Sequence, residues 1–249
     1  MTKTNEKAVI KNLSDVKKVF DNNDIPFWLE YGTLLGAVRD GKMIPWDTDI
    51  DLATFKKYVN TKNIKKRLTE ELEKMGFLVY FYPHTMNINR NKTSMNVSLW
   101  GVDSKKKMIV MNRFKKNDFL IRLLLKTLKL FTLTYYGGLV LKDSNGIRDL
   151  IKMNLFFLMK GIPEKFKKII CEIIEVLLYS YRKKEYCYLE IPEEYFLKLR
   201  IIDYHGVKVK IPEDSEKYLE KMYGDWKTPP KEPKKWIWYE HGKWKSGEL

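Results

Sequence analysis

The stretch that decides the fold spans residues 30–55 and reads EYGTLLGAVRDGKMIPWDTDIDLATF. Its second half carries Asp47, Asp49 and Asp51 at a spacing of two, with apolar or β-branched residues between and after them. Side chains at i, i+2 and i+4 of a β-strand point to the same face of the strand. The spacing therefore predicts a strand with three carboxylates on one face and an apolar row packed into the core on the other.

Three carboxylates on one strand face repel one another unless a cation neutralises them. A hard divalent cation with oxygen ligands does this, and Mg²⁺ or Mn²⁺ bound by carboxylates keeps coordination positions for phosphate oxygens. The alternative is an exposed acidic edge or a set of turn caps. Alone, an Asp-x-Asp pattern decides little between the two, so the neighbouring residues matter.

A glycine-rich turn precedes the carboxylate strand. Gly32 and Thr33 stand at the start of a predicted helix, where free backbone N–H groups and a hydroxyl can hold a phosphate. Arg39 follows closely and can pair with a phosphate through two hydrogen bonds. This context favours a metal and phosphate site over an acidic edge.

The hydrophobic pattern predicts the elements around this stretch. Apolar residues at helical spacing predict helices before residue 21 and over residues 64–75. The segments FWLE, DIDLA, FLVYFY, MNVSLW and MIVMN read as strands. Alternating helices and strands predict an α/β (α+β) fold, a mixed sheet with flanking helices.

Three regions differ in pattern. Residues 1–114 are predicted to form the catalytic core, residues 115–190 a helical insertion or subdomain, and residues 191–249 a C-terminal element that packs back on the core. The last region holds a strand, VKVKI, a helix over SEKYLEKMYG, and a tail rich in proline and tryptophan. No internal repeat or low-complexity linker separates the regions.

The composition sets limits on the class of protein. A net charge of +15 implies attraction to an anionic partner, or else lysine-rich helix faces in solvent. Two cysteines without a CxxC pair predict a reducing compartment and no disulfide framework. The N-terminus lacks the apolar segment of a signal peptide, and no apolar run approaches the length of a membrane span. The expected location is the cytoplasm.

Two separated motifs resemble one known family. YGTLLGAVRDGKMIPWDTDIDL, within the opening stretch, resembles the first motif of the LicD family, which includes bacterial phosphocholine transferases and fukutin-related proteins. IPEDSEKYLEKMYGDWKTPP, at residues 211–230, resembles the C-terminal signature of the same family. The motifs cover about 40 residues and stand in the expected order. The resemblance implies a nucleotidyltransferase-like fold.

The resemblance also implies an activity. Members of the LicD family transfer a phospho-alcohol, such as phosphocholine or ribitol phosphate, from a CDP-activated donor to a hydroxyl and release CMP. The acceptor is a glycan or lipid-linked glycan, as in lipopolysaccharide or teichoic acid synthesis. The resemblance places a metal pair on Asp49 and Asp51, with Asp47 as third ligand or neighbour. Donor phosphate would contact the residues of the turn and helix, which are Gly32, Thr33, Gly36 and Arg39.

One departure from the family pattern concerns the proton acceptor. LicD relatives tend to carry a further carboxylate in an apolar-Asp-apolar stretch of a later strand, and the best match here has Ser98 at that place. A serine is no general base at neutral pH without help. Asp103 or Asp47 would then take the role, or the strand register differs. His84 is a weaker candidate.

The insertion and the tail leave alternatives open. In residues 119–131, basic residues on one helical face and leucines on the rest suit reversible contact with the anionic inner face of a membrane, or a core helix with its lysines in solvent. Trp226, Trp236 and Trp238 can stack on a cytosine, sugar or choline group, or fasten the C-terminus to the domain.

Two other classes of function compete with the transferase. A nucleotidyltransferase that uses an NTP on a protein, RNA or small molecule would use the same carboxylate strand. A non-catalytic protein on a degenerate scaffold would bind membrane or nucleic acid through its positive charge. Because no RNA-binding motif is present, nucleic acid is not expected as a partner.

Overall fold

The computed structural model describes residues 3–45, 47, 49–82, 84–90, 93–114, 186–229, 235–240 and 243–248, with single positions between 123 and 177. The helices are Lys3–Asn22 (α1), Tyr31–Arg39 (α2), Lys62–Lys74 (α3), Glu194–Leu197 (α4) and Ser215–Tyr223 (α5), with a 3₁₀ turn at Lys56–Tyr58. The strands are Trp28–Leu29 (β1), Asp49–Phe55 (β2), Leu78–Phe81 (β3), Thr85–Arg90 (β4), Thr93–Asp103 (β5), Met108–Phe114 (β6), Tyr186–Pro192 (β7), Leu199–Tyr204 (β8), Val207–Pro212 (β9), Lys235–Glu240 (β10) and Lys243–Glu248 (β11).

A mixed seven-stranded sheet forms the centre of the described fold. Its order is β1-β2-β5-β4-β3, and the far part of β5 continues through β6 to β7. The pair β2 and β5 is parallel, while the other pairs of this sheet are antiparallel. Two further hairpins, β8–β9 and β10–β11, complete the described strands. The predicted α/β class with a mixed sheet is confirmed.

The two faces of this sheet differ in chemistry. In β2, β4 and β5, apolar residues alternate with polar ones, and the apolar members are buried. Helices α1 and α3 pack together and lie near strands of the sheet. The buried residues of this core include Leu13, Phe20, Ile50, Leu52, Leu68, Leu72, Met86, Ile88, Met95 and Val97. The alternation therefore leaves the opposite face of these strands polar.

An ion pair fastens α1 to the end of β4. Arg90 donates to Asp15 Oδ2 at 2.6 Å and to Asn12 Oδ1 at 2.7 Å through Nε. Its guanidinium also lies 3.9 Å from the ring centroid of Phe77. Burial alone would raise the pKa of Asp15, but hydrogen bonds from Arg90 and Lys11 lower that pKa below its usual value.

The C-terminal element contacts the sheet through aromatic side chains. Phe196 of α4 lies 5.1 Å from Trp28 of β1 and 5.2 Å from Tyr218 of α5, between ring centroids. Trp226, expected either to stack on a ligand or to fasten the terminus, is 8% exposed and belongs to the core. Trp236 and Trp238 lie in β10, whose side chains are outside the description.

Several strands of the fold escaped the sequence pattern. β4 reads TMNINR, and its asparagines hid its alternation because Asn is depleted in strands. The tail forms the hairpin β10–β11, which the sequence pattern did not predict. The predicted insertion at 115–190 and its basic segment at 119–131 lie almost entirely outside the described residues. Within the described part of the chain, no helix is long and apolar enough to cross a membrane.

Candidate active site

Asp49 and Asp51 lie on the polar face of β2, as the spacing predicted. Both are half-buried, whereas Ile50 and Leu52 between and beyond them are fully buried. β2 is bonded on one side to β1 and on the other to β5. The two carboxylates therefore stand on an ordered strand next to the short edge strand β1.

An asparagine on the neighbouring strand holds this carboxylate pair. Asn96 of β5 lies directly opposite Asp51 in the parallel register. Its side-chain nitrogen donates to Asp49 Oδ2 at 2.6 Å and to Asp51 Oδ1 at 3.4 Å. Asn87 of β4, opposite Asn96, donates in turn to the Asn96 side-chain oxygen. The amide therefore draws the two carboxylates toward one point.

The register corrects the expectation about the later strand. The residue beside Asp51 is Asn96, in the apolar-Asn-apolar stretch Met95 to Val97, and not Ser98. Ser98 pairs with Ala53 and is buried. The sequence signal that could have located Asn96 was present, since an apolar residue flanks it on each side. It was missed because an amide was not considered in place of a carboxylate.

Asp103 is the last residue of β5, whereas Asn96 lies near the start of that strand. It is seven residues from Asn96, which is about 23 Å along a strand. Its carboxylate accepts from the backbone N–H groups of Lys105 and Lys106 at 3.1 and 3.2 Å, so it caps the β5–β6 turn. The structure does not bring Asp103 to the carboxylate pair, and its suggested role as the base is corrected.

The start of α2 adjoins the carboxylate pair. Thr33 Oγ1 accepts a hydrogen bond from the backbone N–H of Asp51 at 2.9 Å, and Thr33 is buried. Gly32 faces Asp47, because a Cβ at Gly32 would clash with Asp47 Oδ2. The structure thus brings Gly32, Thr33 and Asp47 together with Asp51. A side chain at position 32 would displace the Asp47 carboxylate from its present position.

Asp47 stands just before β2 and is 6% exposed. It lies near Tyr204, at the tip of the β8–β9 hairpin. Burial, together with the negative charges of Asp47 and Glu6, raises the pKa of Tyr204 far above its usual value. His205, next to Tyr204, accepts from the backbone N–H of Met43 at 3.2 Å. The hairpin therefore supports the loop that carries Asp47.

The other end of α2 lies away from the predicted phosphate site. Arg39 is six residues from Thr33, about 9 Å along the helix axis, and it makes two hydrogen bonds to Asp40 at 3.0 and 2.7 Å. These bonds lower the pKa of the Asp40 carboxyl. Gly36 has a packing role, since a Cβ there would lie 2.6 Å from the carbonyl oxygen of Lys42. Arg39 and Gly36 therefore contact the residues that follow α2, namely Asp40 and Lys42.

A buried glutamate next to α2 was missed in the sequence. Glu30 is fully buried, its Oε1 accepts from the indole N–H of Trp100 at 2.6 Å, and its backbone N–H donates to the Asp51 carbonyl at 2.9 Å. Nothing in the local pattern marks Glu30 as buried, because it precedes a helix, where acidic residues are common in solvent.

The donor set suits a hard cation. Among the described residues, no three His, Cys, Asp or Glu side chains group as metal ligands. The carboxylates of Asp49 and Asp51 converge on the side-chain nitrogen of Asn96, whose side-chain oxygen accepts from Asn87. Carboxylate oxygens are ligands that Mg²⁺ and Mn²⁺ prefer, whereas an amide nitrogen only donates. The residues that fit such an ion are therefore the two aspartates.

A mixed sheet with paired carboxylates on an inner strand, beside the N-terminus of a helix, resembles the arrangement of a nucleotidyltransferase domain. The comparison with family models agrees. Residues 24–124 match the LicD family model, described as the LicD/FKTN/FKRP nucleotidyltransferase domain. This match covers less than half of the chain, and within it the chain is similar to the LicD family.

Curated relatives match over shorter segments. An uncharacterized protein of Rickettsia prowazekii is 31% identical over 86 residues, which are 34% of this chain and 30% of that protein. Ribitol 5-phosphate transferase FKRP of Homo sapiens, and likewise that of Mus musculus, is 49% identical over 37 residues, 15% of this chain and 8% of that protein. The chain therefore spans less than a third of the length of these relatives.

Similar solved structures include the antibiotic-resistance factor ANT(2'')-Ia. Its solution structure has a TM-score of 0.33 at 10% identity and covers 71% of this chain and 96% of that one. Its crystal structure with adenylyl-2"-tobramycin has a TM-score of 0.31 at 12% identity, covering 68% and 98%. These TM-scores are too low to support an inference about function.

Proposed function

We propose that this protein is a metal-dependent transferase. It moves a phospho-alcohol, phosphocholine or a similar group such as ribitol phosphate, from a CDP-activated donor to a glycan hydroxyl and releases CMP. The observation that carries the proposal is the pair Asp49 and Asp51, drawn together by Asn96 beside the start of α2 in a domain similar to the LicD family. The match to a protein named ribitol 5-phosphate transferase supports the phospho-alcohol class.

The proposal assigns a task to each residue near the pair. Asp49 and Asp51 hold Mg²⁺ or Mn²⁺, and Asn96 keeps their carboxylates converged. The ion, when bound, withdraws charge from the phosphate and stabilises the leaving nucleotide. Gly32 leaves room at the helix start for Asp47, and the backbone N–H groups of that first turn face the region where donor phosphate would lie.

The proton of the attacking hydroxyl needs an acceptor. Asn96 cannot take a proton at neutral pH, and Asp103 is about 23 Å away along its strand. Glu30 is fully buried and accepts from the indole of Trp100, which leaves the carboxylates of Asp47, Asp49 and Asp51. We therefore assign the proton to this carboxylate group.

The test is CMP release by the purified protein with Mg²⁺ or Mn²⁺. The substrates are CDP-choline, CDP-ribitol, CDP-glycerol, CDP-ethanolamine and the four NTPs, each with and without a crude glycan extract. CMP from one CDP donor supports the proposal and names the alcohol. Pyrophosphate from an NTP would instead assign the chain to the nucleotidyltransferases, the alternative considered from the sequence.

Matched aspartate variants locate the chemistry. Asp49→Asn and Asp51→Asn are expected to lose nearly all CMP release, while Asp21→Asn, the same change on the exposed surface of α1, retains it. Full activity in Asp49→Asn would contradict the proposal and favour a non-catalytic binding protein. Loss of activity in Asp103→Asn would contradict the placement of the site at Asp49 and Asp51.

Reversible contact with an anionic membrane belongs to the same proposal. Its support is the net charge of +15 and Leu123, which is 49% exposed within the basic segment at 119–131. Co-sedimentation with vesicles of phosphatidylglycerol, compared with vesicles of phosphatidylcholine, tests it. Equal recovery with both vesicle types at low salt would refute the contact.

A further inference from the structure

The polar face of the sheet continues well beyond the carboxylate pair. Strand register places side chains of the same face in rows that cross from β2 to β3. One row runs Asp49, Ser94, Asn89 and Leu78, the next runs Asp51, Asn96, Asn87 and Tyr80, and a third runs Ala53, Ser98, Thr85 and Tyr82. Neighbouring strands lie about 4.8 Å apart, so each row extends about 14 Å from β2.

The part of this face on β3, β4 and β5 is polar but uncharged. Apart from the buried Ser98, its members are half-buried, and none of them is Lys, Arg, Asp or Glu. In the described part of the chain, the side chains of Asn89, Ser94 and Thr85 make no hydrogen bond. Their donors and acceptors are therefore available to a ligand.

Two tyrosines border the face on its outer side. Tyr80 and Tyr82 are half-buried at the end and just beyond the end of β3. Burial raises the pKa of both phenols, so they stay neutral and do not add charge. An aromatic ring beside amides and hydroxyls offers an apolar surface next to hydrogen-bonding groups.

We propose that this face binds the acceptor, and that the acceptor segment it takes is a neutral, polyhydroxylated ring or chain, a sugar or a polyol. The contacts come from Asn87, Asn89, Ser94 and Thr85, with Tyr80 and Tyr82 packing on the less polar side. This inference rests on the proposed function, since it places the accepting hydroxyl beside Asp49 and Asp51.

The chemistry of the face selects this class of ligand. Amide groups match pairs of neighbouring hydroxyls because each offers one acceptor and two donors. A phosphate-rich ligand would require basic side chains, which these rows lack. An apolar ligand would leave the amide of Asn89 without hydrogen bonds, at a cost of about 1–3 kcal/mol for a buried group.

The binding test needs no turnover. Saturation-transfer NMR is recorded on the full chain with a panel of unlabelled probes, namely glucose, galactose, N-acetylglucosamine, ribitol and, separately, cytidine. The side-chain amide signals of Asn87 and Asn89 are followed in ¹⁵N-labelled protein. Saturation transfer to a sugar or to ribitol, with shifts of these two signals, is the expected result. Shifts with cytidine alone would overturn the inference and assign the face to the donor base.

Variants tie the signal to the face. Asn89→Ala is expected to weaken sugar binding about five- to tenfold, the loss of one hydrogen bond of about 1 kcal/mol or slightly more. Thermal unfolding of Asn89→Ala, recorded beside the native chain, guards against an effect of misfolding. Asn60→Ala, on an exposed loop residue, is the matched control. Equal loss in Asn60→Ala and Asn89→Ala would overturn the assignment.

The kinetic test separates this inference from the proposed function. With a donor that yields CMP, Asn89→Ala is expected to raise the KM for the acceptor more than the KM for the donor. If the protein releases CMP but binds no sugar or polyol, the acceptor-binding role of this face is refuted and the proposed transferase function stands. If the protein binds sugar at Asn89 but releases no CMP, the proposed transferase function is refuted and the face remains a sugar-binding surface.

Discussion

Replacement of Asn96 by aspartate tests the carboxylate pair most directly. Asn96 now donates to Asp49 and Asp51 from 2.6 and 3.4 Å. Asn96→Asp removes both hydrogen bonds and places a third negative charge within about 4–5 Å of two others. At an effective dielectric constant of about 20, each repulsion approaches 4 kcal/mol, and water around these half-buried groups reduces it. We expect a total loss of roughly 2–4 kcal/mol in the metal-free protein.

The assay is thermal unfolding followed by circular dichroism, with EDTA and with Mg²⁺. A loss of this size lowers Tm by about 5–15 °C for a domain of this length. Because Mg²⁺ neutralises three carboxylates better than two, the ion is expected to raise the Tm of Asn96→Asp more than that of the native chain. Asn60→Asp adds the same charge on an exposed residue and is expected to change Tm little in either condition.

Two results would refute this reasoning. If the Tm in EDTA is the same for Asn96→Asp and the native chain, the three side chains do not converge as described. If Mg²⁺ raises the Tm of Asn96→Asp and of the native chain equally, the ion does not bind at Asp49 and Asp51. This conclusion holds even if Asn96→Asp lowers Tm in EDTA. Mn²⁺ in place of Mg²⁺ is expected to give the same order of effects.

Three further predictions concern stability. Asp15→Asn, measured by urea unfolding, is expected to lose about 1–3 kcal/mol at neutral pH by breaking the hydrogen bond from Arg90. Because the folded-state pKa of Asp15 is lowered, this contribution is present above about pH 4 and fades below it. The difference in free energy of unfolding between Asp15→Asn and the native chain should therefore become smaller in acid. A difference that does not change with pH would contradict this account. Gly36→Ala is expected to lower Tm, because the added Cβ would clash with the backbone of Lys42 at a cost of about 1–3 kcal/mol. An unchanged Tm would mean that the loop at Lys42 moves away without a loss of stability. Tyr204→Phe is expected to raise Tm slightly, because the hydroxyl is buried without a hydrogen-bond partner in the described structure; a lower Tm would indicate a partner for that hydroxyl.

The sequence was sufficient for what depends on local periodicity. The spacing of Asp49 and Asp51, with Ile50 and Leu52 buried behind them, follows from the alternation of a strand, and the structure places all four as predicted. The helix start at Gly32 follows from its position after a strand. These features depend on residues that are near one another in the chain.

The partners of these residues depended on register, which the sequence does not show. A shift of two residues in the pairing of β2 with β5 decides whether Asn96 or Ser98 stands beside Asp51, and both lie on the same face. Asp103 was expected near the carboxylate pair, but it lies seven residues beyond Asn96 in β5. Arg39 was close to Gly32 in sequence but far along the axis of the helix that joins them.

The polar face was also hidden by composition. β4 reads as a poor strand because its outward residues are Asn87 and Asn89, yet its inward residues Met86 and Ile88 are fully buried. Tertiary packing of the inward row outweighed the low strand propensity of the asparagines.

The position of β2 between two hydrogen-bonded neighbours has a consequence for the thermodynamics of ligand capture. A binding group on a loop loses backbone freedom when it captures a ligand, at about 1–2 kcal/mol for each residue that becomes ordered. Asp49 and Asp51 have already lost most of that freedom in the folded chain, because β5 pairs with both residues and β1 pairs with Leu52 and Ala53 just beyond them. Amide hydrogens of β2 should therefore exchange slowly with or without a ligand, and any new protection on binding should appear outside this strand.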